Sequence, residues 1–274
     1  MKYKIVVDSS SDLKNDYIVD ENVGFEIAPL TIHIGDKHFI DNENINVKEM
    51  LESINNGCKS TTSCPNPNDY LKCFNDAENI FCVTISSKLS GSYNSALIAS
   101  RLVEDKNVLV IDSKLVSGNI IRIVDELYRL IKEGLEFEEI KDRILKFRDN
   151  EKLFFVLDKY DNLINSGRLS KTIAVIASLL KIKPLCYGED GEIKILHKVR
   201  TRRLVINTLI DVVIKEAKEK KSDHCIITHC LDDETGLYIK EHLEEAGVFK
   251  KVTLLPMHGL CSYYALEKGI IVSL

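Results

Sequence analysis

Three short β-branched runs, each closed by a Ser- or Asp-bearing turn and followed by a helical pattern, constrain this chain more than any other feature. The runs are Tyr3 to Val7, Ile80 to Ile85 and Val108 to Ile111. Apolar residues at three- and four-residue spacing predict helices over Pro67 to Ala77, Gly91 to Val103 and Gly118 to Lys132. That alternation predicts a parallel sheet, because parallel neighbours need a long crossover, usually a helix, to return to the same edge. The rhythm changes between Phe25 and Phe39, where EIAPLTIHIGDKHF sets a Gly-Asp turn between extended segments. A β-hairpin is therefore expected near residues 31–57, with a helix over Asn46 to Asn55.

The polar stretch Arg148-Asp149-Asn150-Glu151 precedes a strand from Leu153 to Leu157, a loop NLINSGRLS and an apolar helix from Lys171 to Leu180. Strands then read over Ile182 to Tyr187, Ile193 to Val199, His224 to Thr228, Val252 to Leu255 and Gly269 to Leu274. Helices read over Leu204 to Glu219 and Glu234 to Glu245, with one more before the last strand. The turn in YGEDGEI makes the first two strands antiparallel, so this sheet is mixed. A length of 274 residues accommodates two ordinary domains. The expected class is α/β: a Rossmann-like parallel α/β domain with a hairpin insertion over 1–150 and a mixed-sheet α/β domain over 151–274.

A formal net charge of −5 gives no electrostatic footprint for nucleic acid or an anionic membrane surface, so a small molecule or a protein is the expected partner. The start MKYKIVVDSS is too short in apolar residues for a signal peptide, and Ile173 to Leu180 falls far below a membrane span. A cytoplasmic protein is expected. Eight cysteines scattered from Cys58 to Cys261, with no C-x-x-C pair, read as reduced structural thiols. His224-Cys225 and His229-Cys230 alternate faces of one strand and make a poor metal site, and no metal or cofactor is expected.

In open parallel sheets ligands collect beyond the carboxyl ends of the strands. There the chain carries Asp8-Ser9-Ser10-Ser11-Asp12, Ser86-Ser87-Lys88-Leu89-Ser90-Gly91-Ser92 and Asp112-Ser113, which are expected to converge. Hydroxyls beside a helix N-terminus suit an anion, although Ser and Asp there are equally ordinary helix caps. Ser60-Thr61-Thr62-Ser63 adds a fourth hydroxyl-bearing loop, with Pro67 opening the next helix. Gly167-Arg168-Leu169-Ser170 combines a turn glycine, a permanent cation and a cap. The dense basic corner from His197 to Arg203 reads as a solvated turn or as a docking surface, with Arg200 and Arg202 as its candidates.

Over nearly its full length the chain resembles the DegV family. The matching elements are DSSSDL at 8–13, IAPL at 27–30, TTSCP at 61–65, ISSKLSGSYNSA at 85–96, DSK at 112–114, NSGRLSK at 165–171, LLKIKP at 179–184 and DGEI with KVRT at 190–201. The resemblance implies the two domains above and one long-chain fatty acid such as palmitate, its carboxylate at Thr62 and Ser90. Ser63, Gly91, Ser92 and Arg168 are expected beside the ligand, with Ile173 and Ile176 along the tail. Related members present the acid to a fatty-acid kinase that makes an acyl-phosphate, where arginines matching Arg168 and Arg200 matter.

The C-terminus departs from the family. Kinase-coupled members carry His-x-Gly-x-Gly, whereas Pro256 to Tyr264 places Cys261 or Ser262 at the histidine position. Tyr263 and Tyr264 are expected to narrow the cavity mouth or reshape the docking face, which makes this chain a poor partner for a standard kinase. The rival reading is a serine-dependent acyl hydrolase using Ser90 or Ser92, without a G-x-S-x-G elbow.

Overall fold

The computed structural model describes residues 1–55, 58–169, 173, 175 and 182–274. The first half runs β1 (Tyr3–Asp8), β2 (Val23–Ala28), β3 (Thr31–Ile34), β4 (Lys37–Ile40), α1 (Val47–Asn55), β5 (Ser60–Ser63), α2 (Pro67–Cys73), β6 (Asn79–Thr84), α3 (Ser92–Ser100), β7 (Asn107–Asp112), α4 (Gly118–Lys132) and α5 (Phe137–Asn150). The second runs β8 (Leu153–Val156), α6 (Asp161–Asn165), β9 (Lys183–Glu189), β10 (Glu192–Val199), α7 (Arg202–Lys220), β11 (His224–His229), α8 (Asp233–Glu245), β12 (Lys251–Pro256), α9 (Gly259–Ala265) and β13 (Ile270–Ser273).

Strands β2, β1, β6 and β7 form a parallel sheet in that order. Every residue of β1 and β6 is buried, as expected of central parallel strands covered on both faces. On one face Phe81, Val83 and Ile111 pack against Ile120, Ile123 and Leu127 of α4. On the other, Val6, Ile80 and Cys82 pack against Tyr70 and Phe74, from α2 and its C-terminal end, and Ala96 of α3.

The second sheet has the order β10-β9-β8-β13-β11-β12 and is mixed: β11 and β12 are parallel and the other pairs antiparallel. One face is covered by α7 and α8 through Val205, Leu209, Val213 and Ile239. Helix α4 meets the other face where it begins, since a Cβ on Gly118 would lie 2.8 Å from Ser273 Oγ and 3.0 Å from Ile226 Cγ2. Only glycine permits that approach, which makes α4 a layer shared by both sheets. The expected α/β class and mixed second sheet are therefore present.

The hairpin β3–β4 turns at Gly35, whose φ of +56° is the left-handed geometry such turns need. Three expectations need correction. Ser60–Ser63 is an edge strand paired with β3, not a loop; its all-hydroxyl sequence shows no apolar alternation, and the ladder to β3 decides its conformation. Helix α5 is not among the expected elements: Arg148, Asp149 and Asn150 form its C-terminal end, and it stops at the expected domain limit of residue 150. Asp161–Asn165 is helical within the expected loop, ending at Gly167 with φ +72°. The apolar helix over Lys171 to Leu180 lies outside the described residues except for Ile173 and Val175. Among the described residues no helix is long and apolar enough to cross a membrane.

Candidate functional site

The carboxyl ends of β1, β6 and β7 are tied together by hydroxyl-carboxylate bonds, so the hydroxyl-bearing loops do converge. Buried Asp8 accepts from Ser10 Oγ at 2.5 Å, Ser92 Oγ at 2.6 Å and the Ile85 amide at 3.0 Å. Ser87 Oγ donates to Asp112 at 2.5 Å. Burial pushes the Asp8 carboxyl above the ordinary carboxylate range against these donors.

Beside this junction lies a cavity of about 310 Å³. Its walls are largely apolar, with Leu115, Leu153, Phe155, Leu157, Ile193 and Ile271 among them. Thr62, Ser63, Ser90, Gly91 and Arg168 also line it. These polar residues are neighbours: Arg168 Nε donates to the Leu89 carbonyl at 3.1 Å, and a Cβ on Gly91 would sit 3.3 Å from Cys64 Sγ. Among the described residues Arg168 has no carboxylate partner, its other bond running from Nη1 to the Ser166 carbonyl at 2.7 Å. The Ser90 oxygen accepts the Ser92 amide at 3.2 Å beside the start of α3, which leaves its own proton available. Ser90 can therefore accept the first amide of α3 and donate at once.

Other expected site residues are placed differently. Ser92 is fully buried, bonded to Asp8 and, at 2.5 Å, to the Tyr70 hydroxyl, and is not at the cavity wall. Ile173 is buried in the apolar cluster that includes Leu153, Phe155 and Leu163, while Ile176 lies outside the described residues. Arg200 is exposed, but Arg202 is held by Asp158 at 2.8 Å and Asp232 at 2.5 Å, which explains it as a structural bridge. Among the described residues no group of His, Cys, Asp and Glu is placed to share a metal ion, and His224 Nε2 instead meets Thr253 Oγ1 at 2.9 Å.

A family model described as "Uncharacterised protein, DegV family" matches residues 2–271. The chain belongs to the DegV family. A DegV domain-containing protein of Streptococcus gordonii is 36% identical over 280 residues, covering 99% of this chain and 98% of that one. Among solved structures, the Streptococcus pneumoniae Fatty Acid Kinase (Fak) B3 protein loaded with linoleic acid is 33% identical, with a TM-score of 0.92 over 100% of this chain and 99% of that one. A DegV protein from Eubacterium eligens loaded with heptadecanoic acid is 29% identical, with a TM-score of 0.89 over 99% and 98% of the two chains.

In this DegV chain the segment from His258 to Leu260 is pinned from a distance. Asp41, beyond the hairpin, accepts the Gly259 and Leu260 amides at 2.7 and 3.0 Å, and Asp12 accepts the His258 amide at 2.7 Å and Ser117 Oγ at 2.5 Å. Asp12 belongs to the first hydroxyl-bearing turn, whereas Asp41 does not stand out in the sequence, because it and Gly259 are 218 residues apart. Cys261 and Tyr264 line the cavity. Tyr263 does not: it is buried with its hydroxyl 2.9 Å from Ser60 Oγ, so of the two tyrosines Tyr264 alone lines the cavity.

Burial raises the Asp12 carboxyl to about 7 and the Asp41 carboxyl to about 6. Both folded values exceed those of an unfolded carboxylate, so the folded state takes up protons, and gains stability from these groups, as pH falls through 7 and 6. His224 and His258, lowered by burial, oppose this as the unfolded imidazoles protonate. The clean quantity is the stability difference between the native protein and Asp12→Asn. Between pH 8 and pH 6 it should move by about 1 kcal/mol in favour of the native protein. Denaturant titrations at the two pH values check this, and an unchanged difference would show that Asp12 stays ionised.

Proposed function

We propose that this chain binds one long-chain fatty acid, such as palmitate, with its carboxylate at Thr62 and Ser90, and carries it without chemistry of its own. The observation that carries this reading is a mostly apolar cavity lined at neighbouring positions by three hydroxyl residues, a glycine and an arginine. Burying about 15 methylenes at ~0.8 kcal/mol each supplies a gross driving force of roughly 12 kcal/mol before ordering costs. A carboxylate cannot be buried bare, so donors must receive it, and Thr62, Ser90 and the cation of Arg168 meet that need. Relatives described as loaded with linoleic and heptadecanoic acid support the same ligand class.

A hydrolase is less well supported, because among the described residues neither Ser90 nor Ser92 is hydrogen-bonded to a histidine that could act as base. The same proposal places the chain in the cytoplasm as two domains, residues 1–150 and 151–274, with exposed Arg200 facing a fatty-acid kinase. The kinase partner rests on the Fak B3 relative. The direct test is titration of delipidated protein with palmitate. Saturation at one acid per chain is the expected outcome, and no saturable binding would refute the reading. Phosphorylation of the bound acid by a kinase subunit from the same genome should be slower than with a His-x-Gly-x-Gly relative, because Cys261 or Ser262 stands at the histidine position. Equal rates would contradict that part.

A further inference from the structure

We propose that Tyr264 is the positioning residue of the head-group site: its phenol donates to Thr62 Oγ1 and so commits the threonine proton to the ligand carboxylate. The inference rests on the fatty-acid reading above. Tyr264 lines the cavity together with Thr62 and Ser90, and its hydroxyl lies 2.8 Å from Thr62 Oγ1. A threonine hydroxyl owns one proton and two acceptor sites. Beside a carboxylate, which only accepts, that proton points at the ligand, and the Thr62 oxygen then has to accept from Tyr264. The result is a chain from phenol to alcohol to carboxylate in which each bond polarises the next.

The surroundings fix this geometry. Residues two apart on a strand share a face, and Ser60 and Thr62 of β5 present their hydroxyls to Tyr263 and Tyr264 respectively. The two rings meet edge to face with centroids 4.8 Å apart. The Tyr263 carbonyl accepts Asn162 Nδ2 at 2.6 Å, and the first amides of α9 are held by Asp41. Tyr264 thus reaches the cavity from a backbone anchored on both sides. Cys261, the sulfur on the same helix that also lines the cavity, is a weak donor whose burial pushes its pKa well above the ordinary thiol value. The phenol is the donor on this helix able to act on the head group.

The test compares delipidated native protein, Tyr264→Phe, Thr62→Ala and the double variant for affinity towards palmitate and towards hexadecanol, which has the same tail and no carboxylate. Tyr264→Phe should weaken palmitate binding about tenfold and leave hexadecanol within about twofold, since the donor that commits the Thr62 proton to the carboxylate is lost and the ring is kept. The double variant should bind palmitate no more weakly than Thr62→Ala, because the tyrosine acts through the threonine. Equal weakening of acid and alcohol would make Tyr264 a packing residue and overturn the inference. So would additive losses in the double variant, or unchanged palmitate binding by Tyr264→Phe. Failure of the native protein to bind palmitate would instead remove the fatty-acid reading itself.

Discussion

Replacing Glu151 with alanine is expected to remove about 3–5 kcal/mol of stability, the cost of leaving a buried guanidinium without its carboxylate. Arg122 of α4 meets Glu151 through two parallel bonds, Nε to Oε2 at 2.7 Å and Nη2 to Oε1 at 2.9 Å. The side chains are only 10% and 3% exposed, so water cannot substitute for the lost partner. Asn119 Nδ2 adds a third donor at 2.9 Å, and Arg122 Nη1 also reaches the His224 carbonyl. Because α4 packs on both sheets, the damage falls on the layer that joins them. The thermal midpoint should drop by about 6–15 °C for a chain of this size. A loss below about 1 kcal/mol would mean that the pair behaves like a solvated surface bridge.

The second large effect is on the ligand. Thr62→Ala with Ser90→Ala removes two donors to a buried anion, each contributing about 1.5–3 kcal/mol, so fatty-acid affinity should fall by roughly 10²–10⁴-fold. The lipid-free fold should suffer less, since Ser90 gives up one contact to the Ser92 amide and Thr62 one to Tyr264. Palmitate titration and the midpoint of delipidated protein, measured together, separate the two effects. Full affinity in the double variant would remove the head-group assignment, and unfolding would recast both residues as structural.

What the sequence reveals and what it conceals follow from the range of the interactions involved. Strands such as β1 and β6 are legible because burial on both faces favours a near-continuous apolar run, broken in β1 only by Lys4 before Asp8. The hydroxyl loops were legible because post-strand positions in a parallel sheet converge by topology. Strand β5 was not, since Ser60 to Ser63 owe their conformation to pairing with β3, some thirty residues earlier. Ser92 could be counted equally well as a ligand residue or a cap; only the meeting of β1 with α3 reveals that its proton belongs to Asp8. The tyrosine pair read as bulk at a cavity mouth. Its hydroxyl partners Ser60 and Thr62 lie about two hundred residues away, and contacts of that separation leave no local pattern.

The central claim is that the cavity is built for a fatty acid and that the protein holds one. Denaturing extraction of freshly purified protein followed by mass spectrometry tests it most directly, because nothing is added and the ligand identifies itself. The account predicts a C14 to C18 fatty acid near one equivalent per chain. Recovery of a different class of molecule in that amount, or of no stoichiometric lipid from protein that also fails to take up palmitate, would contradict it.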